Sequence, residues 1–352
     1  MHNKRVMKMN KALPVELMDK IVMMSGDLLA ASVLRKHITK YAYNNVVSNK
    51  NTLIYGPVQS GKTKEIISFI KAHKGDVNVL VIQNSLSMLK QYEKRLESEG
   101  VKYQTITGSS KVIEKGSTIL VMANLIRYSY FNDTIACDYN LIVDEADQLL
   151  KNCKLKGIRN VHVTATPFSL SYQYDIIIKV KINPCYKGIK DLHISTTSLE
   201  SSISNFLNRE SGMMLINRYW LSVDMFNHAL SVSTENPGIP IVLLNSERRI
   251  FLNGRDKTLS HNKSVSEIID SLACHSHIIF VSNRVGNRGV SFVSSDYTRH
   301  LTDQYLCSFT SITSFLQKLR ILGIYKDTER LNLIVPRDKL TKVIEYSNTR
   351  YL

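Results

Sequence analysis

The stretch that decides the fold reads Asn51-Thr-Leu-Ile-Tyr-Gly-Pro-Val-Gln-Ser-Gly-Lys-Thr-Lys64. Residues 56–63 follow the pattern G-x-x-x-x-G-K-T, whose two glycines let backbone N–H groups face a polyphosphate. Residues 52–55 form a short apolar run suited to a buried strand, and residues 63–72 place three isoleucines at helical spacing. The pattern therefore predicts a strand, a phosphate-binding loop and a helix whose N-terminus faces the anion.

The loop also predicts which residues would hold a nucleotide. Lys62 would supply a positive charge to the β- and γ-phosphates, and the Thr63 hydroxyl would ligate Mg²⁺. The candidate nucleotide-binding residues are Gly56, Pro57, Val58, Gln59, Ser60, Gly61, Lys62 and Thr63.

Composition and charge narrow the class of protein. The chain has 352 residues, which gives room for two domains and an extension. Its formal net charge of +16 suits a polyanionic partner, although lysine-rich surfaces also arise from genome composition. The five cysteines lie far apart without a C-x-x-C pair, which argues against a disulfide framework or a zinc site and fits a reducing compartment.

The sequence contains no apolar run that approaches the ~20 residues needed to cross a bilayer. The start, Met1-His-Asn-Lys-Arg5, is not followed by the apolar core of a signal peptide. We therefore expect a soluble, intracellular protein without a membrane partner.

Apolar strand-like runs alternate with amphipathic helical stretches from residue 51 onward, which predicts α/β domains built on parallel sheets covered on both faces. In the first half, the strand-like runs are 52–55, 77–82, 103–107, 117–122, 139–143 and 160–163, with a helix over 85–99. A further strand over 174–182 is expected to leave the first domain. In the second half, strands are expected over 213–217, 239–244, 277–281, 305–307 and 331–335, and helices over 221–232, 265–272 and 311–322.

A second anchor is Asn140-Leu-Ile-Val-Asp-Glu-Ala-Asp147, a buried strand that ends in acidic residues. Ligands meet a parallel sheet at the carboxyl ends of its strands. Asp144 would hold Mg²⁺ directly or through water, so the candidate metal ligands are Thr63 and Asp144. Glu145 would orient and deprotonate the water that attacks the γ-phosphate.

Together these motifs resemble a known family. The phosphate loop, the acidic motif at 143–147 and Thr164-Ala-Thr-Pro167 resemble motifs I, II and III of superfamily 2 helicases and translocases. The resemblance implies two RecA-like domains in tandem, 46–185 with motifs I–III and 186–352 as the C-terminal helicase domain, with the nucleotide between them. It also implies that Thr164 and Thr166 couple the nucleotide site to the nucleic-acid site.

The second half carries weaker motifs. Residues 213–218 resemble motif IV, and residues 282–291 resemble motif V, where the pair Arg288-Gly289 would turn the backbone toward phosphates. Residues 315–323 resemble motif VI, which supplies the arginine finger in this family. The family commonly has two arginines there, whereas this chain keeps one, Arg320. Arg320 is therefore the first finger candidate and Arg288 the second, and a finger contributes ~10³–10⁵ in rate.

One departure from the family concerns the nucleotide base. DEAD-box proteins have an adenine-reading glutamine upstream of the phosphate loop, but the first glutamine here is Gln59, inside the loop. The chain therefore looks closer to the broader helicase-like branch of mobile elements and large viruses than to true DEAD-box proteins. ATP is implied by the superfamily, and the cytoplasm, the nucleus and a viral factory or virion all remain open as locations.

The resemblance also implies a DNA or RNA partner held mainly through its sugar–phosphate backbone. Such contacts predict weak sequence preference and steep salt dependence, because each neutralised phosphate releases counterions. The candidate nucleic-acid contacts are Asn84, Ser85, Thr164, Thr166, Asn217 and Arg284. We expect the chain to act as a monomer.

Residues 1–45 differ from the rest of the chain and predict two short helices. The run from Leu13-Pro14 through Glu16-Leu17 to Ser32-Val33 resembles the start of an F-box, the helical module that docks onto ubiquitin-ligase adaptors. The residues that would dock are 12–40. A helical extension that packs on the next domain explains the same pattern, and both interpretations remain open.

The sequence is therefore compatible with two main functions. The first is an ATP-dependent helicase or translocase that moves on or unwinds DNA or RNA. The alternative is an F-box-like adaptor whose lobes form an ATP-gated clamp on nucleic acid with weak ATPase activity. A nuclease-associated motor subunit is a further possibility, although the sequence shows no added acidic metal cluster for cleavage in cis.

Overall fold

The computed structural model describes residues 50–106, 114, 116–218, 221–245, 248–259, 263–283, 289–325 and 330–348. These divide into two compact units. One contains the described residues up to Gly56 together with Gly61–Ser85 and Tyr92–Val180, and the other contains Pro57–Ser60, Leu86–Gln91 and the described residues from Lys181 on. The F-box-like segment at 1–45, which includes the helical N-terminal part of the predicted fold, lies outside the described residues.

The first unit contains a seven-stranded sheet in the order β3-β4-β2-β5-β6-β1-β7, in which every strand pair is parallel. Its strands are β1 Asn51–Tyr55, β2 Val77–Ile82, β3 Tyr103–Thr105, β4 Thr118–Met122, β5 Tyr139–Val143, β6 Arg159–Thr164 and β7 Ile176–Lys179. Its helices are α1 Lys62–Ala72, α2 Leu86–Ser98, α3 Leu125–Thr134 and α4 Ala146–Leu149, of which α2 begins with residues that group with the second unit.

The central strands of this sheet are apolar because both of their faces are covered. Every residue of β2, β4 and β5 is buried, which matches the near-continuous apolar runs expected of a parallel sheet between two helical layers. Because neighbouring strands run in the same direction, the carboxyl ends of β1, β5 and β6 lie at the same edge of the sheet. Two of the segments that follow these ends are the phosphate loop and the acidic motif.

The second unit contains an eight-stranded sheet in the order β13-β12-β11-β14-β10-β15-β17-β9, parallel except for its antiparallel pairs β11–β12 and β12–β13. Its strands are β9 Leu192–Ser195, β10 Gly212–Asn217, β11 Ile241–Leu244, β12 Arg248–Leu252, β13 Arg255–Thr258, β14 His277–Ser282, β15 Asp303–Leu306 and β17 Leu331–Ile334. A two-stranded sheet pairs β8 Tyr186–Lys187 with β16 Gly323–Ile324. The helices are α5 Leu199–Leu207, α6 Ser222–Glu235, α7 Val265–Ser271, α8 Ile312–Lys318 and α9 Arg337–Ser347.

The prediction of two α/β units built on parallel sheets is confirmed. The strand expected over 174–182 differs from its prediction. It was expected to leave the first domain, but it forms β7, an edge strand that pairs in parallel with β1. Asp175, just before β7, is tied to the start of β1 by a hydrogen bond from the Asn51 backbone N–H to its carboxylate, 2.9 Å long. Within the described residues, no helix is long and apolar enough to cross a membrane.

Candidate functional site

The phosphate loop joins β1 to α1. Gly61 lies at the N-cap of α1 with φ of 96°, in the left-handed region where a side chain would be strained. Its carbonyl accepts the first helical hydrogen bond, from the Lys64 N–H, at 2.8 Å. The glycine therefore lets the chain turn sharply into the helix, so that the N–H groups of the first turn stay open toward the loop.

Lys62 is the first residue of α1, and its side chain turns back over the loop. Its Nζ donates a hydrogen bond to the carbonyl oxygen of Gly56 at 3.1 Å. The Gly56 N–H in turn donates to the carbonyl of Thr164, at the end of β6, at 3.3 Å. The start of the loop is thus fixed to the neighbouring strand, and the ammonium lies at its rim.

The middle of the loop, Pro57–Ser60, groups with the second unit. The carbonyl of Val58 accepts a hydrogen bond from the Tyr186 hydroxyl at 2.8 Å, and Gln59 Nε2 donates to the carbonyl of Arg320 at 3.1 Å. The Ser60 hydroxyl is buried and has no hydrogen-bond partner in the described part of the chain. A buried hydroxyl without a protein partner is consistent with a loop whose polar groups would form hydrogen bonds to the oxygens of a bound phosphate.

The acidic motif follows β5 directly. Asp144 is only 9% exposed, and its Oδ2 accepts a hydrogen bond from the Tyr92 hydroxyl at 2.6 Å. Burial raises the pKa of Asp144, and the Tyr92 hydrogen bond and the nearby Lys62 ammonium act in the opposite direction. A divalent cation beside this carboxylate would favour its ionised form further.

Tyr92 links the two predicted metal ligands. Besides donating to Asp144, its hydroxyl lies close to the Thr63 side chain. Burial is the main reason that the pKa of Tyr92 lies well above its usual value, so the phenol keeps its proton and acts as a donor to Asp144. The Thr63 and Asp144 side chains therefore both lie beside the Tyr92 hydroxyl. Mg²⁺ prefers such oxygen ligands and usually combines one or two carboxylates with substrate phosphates, so these residues fit the ion.

Glu145 stands at the N-cap of α4 with φ of 51°, in the left-handed region that residues with side chains seldom occupy. Its carbonyl accepts hydrogen bonds from the N–H groups of Gln148 at 2.9 Å and Leu149 at 3.1 Å. Backbone strain of this kind is concentrated at functional sites, where it fixes the direction of a side chain. The backbone turn at Glu145 thus ends the buried strand and begins α4.

A hydrogen-bond chain joins the acidic motif to the Thr164-Ala-Thr-Pro167 segment. Thr164 Oγ1 donates to Asp147 Oδ1 at 2.9 Å, and the Thr166 N–H donates to Thr164 Oγ1 at 3.0 Å. Both threonines are fully buried. Their side chains therefore connect two loops at the edge of the sheet and are not on the surface of the first unit.

The other predicted nucleic-acid contacts have different settings. Asn84 is exposed, Ser85 is the N-cap of α2, and Asn217 ends β10 with 2% of its surface exposed. Arg284 and the second finger candidate Arg288 lie outside the described residues. Gly289, which follows Arg288 in the motif V resemblance, has φ of 68°, a left-handed conformation that glycine adopts readily.

Arg320 is 4% exposed and lies beyond the end of α8. The expected helix over 311–322 is wrong in its second half because the buried Gln304 side chain takes over the helical hydrogen bonds. Gln304 Nε2 donates to the carbonyl of Lys318 at 2.6 Å, and its Oε1 accepts from the N–H groups of Arg320 and Ile321 at 2.9 and 3.1 Å. The helix therefore ends at Lys318, and β16 begins at Gly323.

Sequence reasoning missed Tyr92. No motif contains it, and its position among the apolar residues of α2 is typical of an ordinary core tyrosine. The only available signal was its periodic spacing on a helix predicted to cover the sheet next to the acidic motif.

No family model matches the chain, and no curated protein matches it. Among solved structures, it is similar to RecG bound to a three-way DNA junction, with 14% identity and a TM-score of 0.56 over 96% of this chain. It is also similar to an S. cerevisiae Dbp5 variant bound to a Gle1 variant and IP6. The identity is 11% and the TM-score is 0.55, and the match covers 89% of this chain and 86% of the Dbp5 chain. The chain spans only 47% of the RecG chain. These likenesses show that the chain shares the fold of the regions that it matches in these two structures.

Proposed function

We propose that this chain hydrolyses ATP to move on or unwind DNA or RNA, as superfamily 2 helicases and translocases do. The observation that carries the proposal is the hydrogen bond from Tyr92 to Asp144, with the Thr63 side chain and the Lys62 ammonium close by, at the carboxyl edge of a parallel sheet. This group combines a helix N-terminus, a cation and oxygen ligands, which are the parts that phosphoryl transfer requires.

The residues take separate roles in this proposal. The backbone of the loop and Lys62 bind the β- and γ-phosphates, and Thr63 and Asp144 hold Mg²⁺. When bound, Mg²⁺ neutralises charge on those phosphates. Glu145 orients the attacking water and accepts its proton, because its carboxylate follows Asp144 directly and its backbone is held by α4.

An arginine of the second unit is proposed to stabilise charge on the γ-phosphate, with Arg320 as the first candidate and Arg288 as the second. In the structure the Arg320 side chain is buried, and its backbone N–H is fixed by Gln304. Arg320 can act as a finger only if its guanidinium becomes exposed. We therefore expect slow hydrolysis in the absence of a partner that stabilises such a rearrangement.

Nucleic acid is the proposed partner. The formal net charge of +16 favours a polyanion, and Asn84 and Ser85 follow β2 at the same edge of the sheet as the phosphate loop. The RecG structure contains a three-way DNA junction, which is a property of that protein. For this chain we propose contacts mainly to the sugar–phosphate backbone.

A titration of the ATPase rate with single-stranded and double-stranded DNA and RNA tests the function. We expect at least one of the four polymers to raise the rate about tenfold or more, and this stimulation to fall steeply as salt increases, because counterion release drives the binding. A rate that none of the four polymers changes would contradict the proposal. The polymer that stimulates most would identify the substrate.

Replacing Tyr92 with phenylalanine tests how the metal ligands are held. Without the hydroxyl, Asp144 loses its hydrogen-bond donor, and a hydrogen bond to a charged group contributes about 1.5–3 kcal/mol. We expect the Mg²⁺ concentration for half-maximal hydrolysis to rise about tenfold, since 1.4 kcal/mol corresponds to a factor of ten. Tyr103→Phe is the matched control, because the Tyr103 hydroxyl donates to the surface carboxylate of Glu97. An unchanged Mg²⁺ dependence in Tyr92→Phe would show that Tyr92 only packs.

A further inference from the structure

A pocket of about 490 Å³ lies in the first unit, beside the segments that follow β2, β4 and the acidic motif. Its volume falls within the range of pockets that take small ligands. The residues that line it are Gln83, Asn84, Ala123, Asn124, Leu125, Tyr128, Gln148, Leu149 and Asn152. The proposed nucleotide site does not use this pocket, because none of these residues belongs to the phosphate loop or is Asp144 or Glu145.

The lining of this pocket has an unusual chemistry. Five of its side chains are carboxamides, and none of the described residues that line it is charged, although 22% of the whole chain is Asp, Glu, Lys or Arg. A carboxamide offers two N–H donors and an acceptor oxygen. Such a lining suits a neutral group with several donors and acceptors, and among its described residues it lacks the cationic side chains that form the strongest contacts with phosphate.

Part of this lining is held in place before any ligand binds. Asn124 Oδ1 accepts a hydrogen bond from the Arg127 N–H at 2.9 Å, which fixes Asn124 as the N-cap of α3. Asn124 Nδ2 donates to Asn84 Oδ1 at 3.2 Å. Asn84 therefore uses its oxygen within the protein, and its amide N–H groups form no hydrogen bond within the part of the chain that the structure describes. These groups are available to a ligand.

Apolar residues complete the pocket. Tyr128 is 2% exposed and Leu149 is 8% exposed, so both form fixed walls. Leu125 is 63% exposed and presents an apolar side chain to solvent. The pocket thus combines apolar surface with carboxamide edges, which is the combination that accommodates a planar heterocycle.

We propose that this pocket binds one unstacked nucleobase of the nucleic-acid strand. The inference rests on the proposed function and adds a base contact to the backbone contacts expected there. Asparagine and glutamine pair with the donor and acceptor edges of bases, and proteins read single strands partly by hydrogen bonds to the edges of splayed-out bases. A free nucleoside presents the same chemistry, so the experiment must separate a base in a strand from a free one.

The test compares an intact single strand with an abasic strand of the same length, using the whole protein. We expect the intact strand to bind about tenfold more tightly, since one well-formed carboxamide–base pair contributes a factor of this order. A 2-aminopurine placed in the strand should become more fluorescent on binding as it leaves the stack. The double variant Gln83→Met/Gln148→Met keeps side-chain length and removes two carboxamides, so it should lose the preference for the intact strand and keep its affinity for the abasic one. Gln173→Met, at an exposed position outside the pocket, is the matched control.

Each outcome separates this inference from the proposed function. Equal affinity of the wild-type protein for intact and abasic strands would overturn the base pocket and leave nucleic-acid binding intact. No binding of either strand would contradict the proposed function. Binding of free nucleosides that depends on Gln83 and Gln148, without any preference for the intact strand, would overturn the assignment to a strand. The comparison of the two strands on the wild-type protein decides the matter even if the double variant fails to fold.

Discussion

Replacement of Lys62 by alanine is expected to lower kcat/KM for ATP hydrolysis by about 10²–10³-fold, the loss typical of removing one preorganised group that stabilises transition-state charge. Lys62 is the first residue of α1, and its ammonium already lies over the loop through the hydrogen bond to Gly56. It is therefore placed before the nucleotide arrives. The measurement is steady-state hydrolysis with the stimulating polymer at saturation.

Lys64→Ala is the control for this experiment. Lys64 is an exposed lysine on the same helix, so its removal changes the net charge equally without touching the loop. We expect Lys64→Ala to hydrolyse ATP within about twofold of the wild-type rate, because surface substitutions have small effects. Equal activity of Lys62→Ala and Lys64→Ala would contradict the assignment of residues 56–63 as the nucleotide site.

Replacement of Glu145 by glutamine is expected to lower the hydrolysis rate by about 10²–10⁴-fold, the contribution typical of a general base, while leaving ATP affinity nearly unchanged. Glutamine has the same length as glutamate and cannot accept the proton of water. The backbone at this position is left-handed for either residue, so the substitution adds little strain of its own. Hydrolysis and equilibrium binding of a fluorescent ATP analogue should be measured on the same preparation.

The matched control is Glu210→Gln, which makes the same chemical change at an exposed position in the second unit. It should hydrolyse ATP at the wild-type rate. If Glu145→Gln retains full activity while binding ATP normally, Glu145 is not the base and a different residue must activate the water. If it loses both binding and hydrolysis, the carboxylate instead supports the shape of the loop.

The strands were predictable because a parallel sheet imposes a simple pattern. Residues covered on both faces are mostly apolar, so β2 and β5 appear in the sequence as apolar runs, each interrupted by one buried asparagine, Asn78 or Asn140. The hairpin of β12 and β13 was missed, although Asn253-Gly254 is a strong hairpin signal and both residues have positive φ, 52° and 69°. The flanking strand β13 is polar and exposed, so a search for apolar runs could not detect it.

The site was predictable only where contiguous residues carry the chemistry. Lys62, Thr63 and Asp144 belong to short motifs, whereas Tyr92 reaches Asp144 across 52 positions in the chain. The end of α8 depends in the same way on Gln304, a residue 14 positions before Lys318. Long-range side-chain bonds of this kind leave no local periodicity, so a reading of successive residues does not find them.

The exposed strand β13 also bears on how copies of the chain would associate. It forms one edge of the second sheet, and three of its four residues, Arg255, Asp256 and Lys257, carry charge. A strand from another molecule that added to this edge would have to crowd or desolvate these charges, which opposes aggregation by strand addition. The sheet is thereby protected against open-ended growth at that side, even at the high local concentrations that a polyanion can produce by recruiting many basic molecules.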